Sequence, residues 1–276
     1  MLWGLGALIS MSLAYVAYHK QHLTRSGSLA AIVVGTTVVG GTGLLGFLVL
    51  AYFFATSSYL SKWRKGSDGS QAVAVEHKGD QRDAYQVLAN GGVAAGCALI
   101  FAFSPSPWWL FGFAASLAAA SSDTWASEVG KNSPSLPLDL LTRKKVAKGT
   151  SGGITLPGTV ASMIGAWSTA LVSWPLLHQQ LSHIPNVDLG ATTTSILILL
   201  GLAGWIGNWV DTFVGAKWQG LYHCPKCQRM TEHKHHCHQA GRLVKGTTWL
   251  NNDAVNALCT GSAALVAILL TFIFLT

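Results

Sequence analysis

The chain has 276 residues, a formal net charge of +7 and a mean hydropathy of +0.39; 50% of its residues are hydrophobic and only 11% are charged. Soluble domains carry about 25% charged residues, so this composition excludes an ordinary soluble domain and marks a polytopic membrane protein. The positive excess lies in loops, where it reports orientation first; it also favours anionic lipid head groups or nucleotides, and no nucleic-acid partner is expected.

The first apolar run, Leu2 to Tyr18, lacks a basic leader and ends in His-Lys-Gln-His rather than a small-residue cleavage site. It is therefore read as a span and not as a cleaved signal. Runs of about 20 apolar residues suit single crossings, and they fall at 2–18, 84–103, 107–126, 153–176, 192–214 and 252–275. The run 28–60 is too long for one ordinary helix and is interrupted at Gly40, Gly41 and Gly43. It is expected to form a hairpin of two short spans, or a re-entrant pair.

Charge places these elements. The loops 19–27, 61–83, 127–152 and 215–250 hold nearly every Lys and Arg, whereas those near 104–107 and 177–191 hold none. By the positive-inside rule the basic loops are cytoplasmic, which requires 28–60 to cross twice. The expected fold is all-α: a polytopic membrane helical bundle of about eight spans (seven if 28–60 is one element), with both termini outside. Residues 1–276 form a single membrane domain, and a cytoplasmic Cys/His loop, 215–250, is inserted between the last two spans. The expected location is the plasma membrane of a bacterium.

Polar motifs gather on the cytoplasmic side. Gly-Asp-Gln-Arg-Asp at 79–83 opens the fourth span and brings Arg82, Asp83, Gln86 and Asn90. Asp123 and Glu128 sit at the end of the next span, where carboxylates are costly unless they have a task or a partner. Lys-Gly-Thr-Ser-Gly-Gly at 148–153 opens the sixth span, Asp211 closes the seventh, and Asn251-Asn252-Asp253 opens the eighth. A weak parallel repeat runs through them: Asp123-Thr124 pairs with Asp211-Thr212, and Lys148-Gly149-Thr150 with Lys245-Gly246-Thr247.

Carboxylates, cations and a glycine-rich turn at a helix start describe a phosphate site. Backbone N–H groups at a helix start bind anions, and glycines let the chain approach a phosphate. On this reading Asp123, Glu128, Lys148, Asp211 and Asp253 carry the chemistry. Arg82, Asp83, Asn90, Arg143, Lys144, Gly149, Thr150, Ser151, Gly152, Gly153 and Asn252 hold phosphate or substrate. Asp123 and Asp211 hold Mg²⁺, which is usually bound by one or two carboxylates together with substrate phosphates. Each element also has a plainer role: glycines for helix packing, Arg143-Lys144-Lys145 as a topology signal, Asn251-Asn252-Asp253 as a helix cap. On a continuous helix Asp123 and Glu128 point about 140° apart at 100° per residue. Either the helix frays near Ala126, or the two carboxylates have different roles, with Glu128 orienting Lys148 or Arg143.

The loop Tyr222–Gln239 carries Cys224 and Cys227 as a C-x₂-C knuckle, then Cys237 among His233, His235, His236 and His238. Thiolate and imidazole at this spacing suit a structural, tetrahedral Zn²⁺ site. His235 is the preferred fourth ligand beside Cys224, Cys227 and Cys237, with His233 and His236 as alternatives.

At these motifs the chain resembles a known family. Gln-Val-Leu-Ala-Asn-Gly-Gly (86–92), Ser-Ser-Asp-Thr-Trp-Ala-Ser-Glu-Val-Gly (121–130), Lys148 to Ser162, Gly207 to Ala216 and Asn251 to Asn256 are similar to an integral-membrane family. That family includes phytyl-phosphate kinase of plants and cyanobacteria and an animal transmembrane relative. The resemblance implies a membrane-embedded kinase that converts an isoprenoid lipid monophosphate to its diphosphate, with a nucleoside triphosphate such as CTP as donor. A transporter or flippase for an anionic lipid or small anion is the competing reading, since parallel repeats and glycine-interrupted helices suit it too.

Overall fold

In the computed structural model, residues 2–67, 81–182 and 189–275 are described. They form seven helices: α1 (Leu2–His19), α2 (Arg25–Ser67), α3 (Ala84–Phe103), α4 (Pro107–Lys131), α5 (Leu156–Leu181), α6 (Leu189–Lys217) and α7 (Asn252–Leu275). Six of them, all but α4, are long and apolar enough to cross a membrane. Two short strands, β1 (Leu138–Asp139) and β2 (Gly153–Ile154), pair antiparallel between α4 and α5. Five more lie between α6 and α7: β3 (Leu221–His223), β4 (Met230–Thr231), β5 (His235–His236), β6 (Gln239–Ala240) and β7 (Arg242–Lys245). They form a three-stranded sheet ordered β4-β3-β7 and the hairpin β5-β6.

The glycine-interrupted run is a hairpin within α2. Gly43 takes φ 73 and ψ −166, a left-handed conformation open to glycine and costly to other residues. Beyond it the chain doubles back, so that Phe54 reaches the ring of His22 at 6.3 Å, although an unbroken helix would hold them more than 40 Å apart at about 1.5 Å per residue. The arms 25–42 and 44–67 therefore run antiparallel. The expected helix ends hold within a few residues elsewhere, with two differences. Residues 153–155 are strand and N-cap, so α5 begins at Leu156, where Thr155 Oγ1 accepts the Gly158 N–H at 3.1 Å. α4 continues past 126 without fraying and ends at Lys131.

α4 is the hub. Every residue from Leu110 to Ser122 is buried, and the helix packs on α2, α3, α5, α6 and α7. Its run of Ala and Ser explains this placement, because small residues let helices approach closely where lipid offers no hydrophobic drive. Neighbours answer with glycine: a Cβ on Gly207 of α6 would sit 2.9 Å from Ala119 Cβ, and one on Gly165 of α5 would sit 3.0 Å from the Ser121 carbonyl oxygen. Hydroxyls lock the contacts, with Thr169 Oγ1 donating to Ser121 Oγ at 2.8 Å and Trp205 Nε1 to Ser162 Oγ at 3.1 Å. This packing brings the ends of α1, α4 and α6 and the starts of α2, α3, α5 and α7 to one end of the bundle.

Candidate functional site

A cavity of 1310 Å³ opens at that end. Its polar part takes side chains from the start of α3, the ends of α4 and α6, the 149–153 turn and the start of α7. Its apolar part runs between α1 and the two arms of α2, past Leu13, Ala17, Val34, Phe47 and Leu50. One space is thus acidic and basic at one end and hydrocarbon-like at the other.

The acidic part is built from facing helices. Asp123 of α4 and Asp211 of α6 both line the cavity and interact electrostatically. Each is half-buried, enclosed by protein and open to the cavity. Lys131 and Glu128 act on Asp123 through their charges. With its amide turned to face them, Asn256 donates to Asp211 Oδ2 and to the Asn252 carbonyl, both at 3.2 Å.

Glu128 faces Arg82. The Arg82 guanidinium stands 5.2 Å from the Phe54 ring and 5.9 Å from that of Phe53. Burial pulls its pKa down to about 10, and the Glu128 carboxylate opposes that shift, so the cation is held by a carboxylate and two ring faces. Arg82 is fixed from its backbone as well. Its N–H donates to the His22 carbonyl at 3.0 Å, and its carbonyl accepts from Thr24 N–H at 3.1 Å. Burial, with Lys62, Arg82 and Lys20 nearby, lowers the pKa of His22, so the rim beside α1 is strongly cationic.

The 149–153 turn enters the cavity as a loop of special geometry. Gly149 and Gly152 have φ 82 and 84. Gly149, Thr150, Ser151, Gly152 and Gly153 all line the cavity, as do Asn90, Asn252 and Asp253. Asn90 Oδ1 and Gln219 Nε2 there are buried polar atoms with no hydrogen-bond partner among the described residues. Gln219 is 3% exposed. A buried amide donor of this kind costs about 1–3 kcal/mol unless something accepts from it, and a phosphate oxygen would.

Several expected participants stand elsewhere. Asp83 is outside the cavity lining and is the N-cap of α3: its Oδ1 accepts Gln86 N–H at 3.0 Å, while Gln86 Oε1 accepts Asp83 N–H at 3.2 Å. Arg143 and Lys144 are exposed, and neither they nor Lys148 line the cavity. The Glu128 charge acts on Arg82, while Lys148 and Arg143 lie outside the cavity that Glu128 lines, and α4 runs unbroken from Asp123 to Glu128. Asn251 caps α7, its Oδ1 accepting Ala254 N–H at 2.9 Å, which leaves Asn252 and Asp253 to the cavity. Lys131, Asn208, Gln219, Glu232 and Asn256 line the cavity without having been singled out. Only Lys131 carried a usable signal, two turns of helix beyond Asp123.

The Cys/His loop forms a second centre. One donor atom from each of Cys224, Cys227, His236 and Cys237 lies within 4.8 Å of the others. His236 Nδ1 is 3.4 Å from Cys227 Sγ and 3.3 Å from Cys237 Sγ. The fourth donor is thus His236; the preferred His235 is exposed in β5 because neighbouring strand residues face opposite ways. Tetrahedral zinc with Zn–S of about 2.3 Å spaces its ligands by nearly 4 Å, so three thiolates and an imidazole at these separations suit it. N–H groups of the knuckle backbone, led by Cys227, and then His236 lower the Cys224 thiol pKa to about 6, which favours the thiolate that a metal needs.

Comparison with known proteins places the chain. It is 30% identical to Protein PGR of Arabidopsis thaliana over 268 residues, 90% of this chain and 89% of that one. It is 29% identical to the uncharacterized membrane protein sll0875 of Synechocystis, over 94% of this chain and 86% of that one. It is also 29% identical to Protein VTE6, chloroplastic, of Arabidopsis thaliana, over 90% of this chain and 65% of that longer one. No solved structure matches. The family model described as Integral membrane protein DUF92 matches residues 8–264, and the chain belongs to that multi-pass integral membrane family.

Proposed function

We propose that this chain is a membrane-embedded, prenyl-phosphate-kinase-like transferase. It moves a phosphoryl group from a nucleoside triphosphate, with CTP the first donor to try, to an isoprenoid lipid monophosphate at the cytoplasmic interface. The observation that carries this reading is one continuous cavity that joins a charged chamber to an apolar groove. An amphiphile with an anionic head and a hydrocarbon tail matches both halves at once.

The chemistry suits the residues present. A phosphate monoester has its second pKa near 6, so the acceptor oxygen is largely ionised at neutral pH and needs no general base. Its oxygen forms the new O–P bond as the terminal anhydride O–P bond of the donor breaks, and a nucleoside diphosphate leaves. Such a transfer depends on positioning and charge neutralisation. Arg82, steadied by Glu128, and Lys131 supply positive charge; the 149–153 turn, Gln219 and Asn252 supply donors. Asp123 and Asp211 would hold Mg²⁺, which shields phosphate oxygens from one another when bound. The Cys/His cluster would hold a structural zinc.

With α4 taken as a crossing enclosed by the six candidate spans, and the α2 arms counted separately, the reading has eight crossings, with both termini on the side opposite the cavity. The Lys and Arg distribution puts the cavity on the cytoplasmic side. Polar groups confined to one end favour a transferase over a transporter, which needs access from both sides. The test uses purified protein in lipid nanodiscs with labelled nucleoside triphosphates and a panel of isoprenyl monophosphates. Label in an isoprenyl diphosphate is expected; no transfer from any donor to any acceptor would overturn the reading.

A further inference from the structure

We infer that the Cys/His knuckle is a working wall of the cavity, in which Glu232 is a positioning residue that sets the 149–153 turn through Ser151. The inference deepens the function proposed above. Ser151 Oγ donates to Glu232 Oε1, a contact that joins segments 81 residues apart. Glu232, His233 and Lys234 all line the cavity, so the loop reaches into it.

Glu232 is held from both sides by the knuckle. It follows β4, whose Thr231 is fully buried and registers against Tyr222 of β3, and β3 runs directly into Cys224. It precedes β5, which contains His236 and leads to Cys237. The strands β4, β5 and β6 are two residues long. Pairings this short are not stable alone in water, and a bound metal supplies the missing free energy in such small loops. The position of Glu232 therefore depends on metal binding at Cys224, Cys227, His236 and Cys237. Lys245 of β7 adds a tie to the rest of the site, because its charge interacts with Asp139 first and with Glu232 second.

The turn has reason to need this support. Two of its glycines hold left-handed φ, and among the described residues Ser151 is its side-chain link to the knuckle. When Glu232 is in place, the turn and the Gln219 amide face the cavity as a fixed anion-binding edge. When the loop loosens, the turn relaxes, and the anionic ligand is held more weakly with the helices intact.

Hydrogen–deuterium exchange of the nanodisc-held protein without substrate tests this. Chelation of zinc should speed exchange at 149–153 about tenfold, the size expected for losing a hydrogen bond to a charged group, while α4–α7 stay protected. Ser151→Ala should speed the turn in the metal-loaded protein, and chelation should then add little. Glu232→Ala should match Ser151→Ala, whereas Glu232→Gln, whose Oε1 still accepts from Ser151, should restore protection. Chelation that opens 222–240 and leaves 149–153 unchanged would overturn the inference; so would global unfolding, or Ser151→Ala indistinguishable from wild type. Because exchange is read without turnover, these outcomes stand whether or not any transfer activity is found.

Discussion

Two units of the molecule share a plan and differ in use. In each, an Asp-Thr pair lies near a helix end, a Lys-Gly-Thr turn follows with its glycine left-handed (Gly149 at φ 82, Gly246 at φ 75), and a capped helix begins. Thr155 caps the first of these helices and Asn251 the second. Both aspartates, Asp123 and Asp211, reach the cavity. The turns then diverge. The first continues as Ser-Gly-Gly and lines the cavity through Gly153; the second lies outside the lining, with Thr247 N–H donating to the Trp218 carbonyl at 2.9 Å. On the function proposed above, one copy of the plan supplies an anion-binding edge and the other anchors the Cys/His loop inferred to brace it. Duplicated local structure can thus be divided between holding a ligand and holding the holder.

The largest expected effect tests what the units share. Asp123→Asn and Asp211→Asn should each reduce transfer by about 10²–10³-fold, as when one preorganised charge-stabilising group is lost, with little change in unfolding temperature. Turnover in one variant near wild type would break the equivalence of the two aspartates.

The next tests what separates them. Alanine at a left-handed position costs roughly 1–2 kcal/mol. Gly149→Ala should appear chiefly as a raised KM for the phosphate-bearing ligand. Gly246→Ala, whose Cβ would lie 2.5 Å from the Trp218 carbonyl oxygen, should appear as lower thermal stability and easier metal loss. Steady-state kinetics and metal analysis of both variants distinguish the outcomes.

The smallest effect concerns the hairpin before the first turn. Burial alone would raise the pKa of the Asp139 carboxyl, but Thr142 N–H at 2.7 Å, Thr142 Oγ1 at 2.9 Å and the Lys245 charge outweigh it and hold the pKa below the usual range. A depressed carboxyl stabilises the folded state above its unfolded value of about 3.9 and loses that contribution as pH falls through the lower folded value. The Arg143-Lys144-Lys145 hairpin should therefore loosen only below about pH 4. Asp139→Asn should loosen it at neutral pH, seen as faster tryptic cleavage there.

Most helices were legible because an apolar run of span length has few other fates, and the charge of the loops fixed which ends come together. The Gly40-Gly41-Gly43 interruption marked the α2 hairpin for the same reason: a continuous helix would have put Lys62 and Lys20 at opposite ends. Side-chain partnership was less legible. Nothing local distinguishes Asn208 or Gln219 from any polar residue at a helix end, and Glu232 was masked by the thiols and imidazoles around it. Arg143 and Lys144 look like phosphate ligands by charge, but charge does not report direction, and their hairpin turns them outward. The Arg82–Glu128 relation joins two motifs that only tertiary packing brings together.

The apolar groove has a floor. Along α1 its lining begins at Ser10 and ends at Lys20, about 15 Å at 1.5 Å per residue. At the inner end a Cβ on Gly35 would lie 3.1 Å from Ser10 Cβ and 3.3 Å from Phe47 Cε2, so the walls meet there. On the function proposed above, a tail threaded from the charged chamber meets this narrowing at Gly35, so Gly35→Ala is expected to shorten the longest tail accepted.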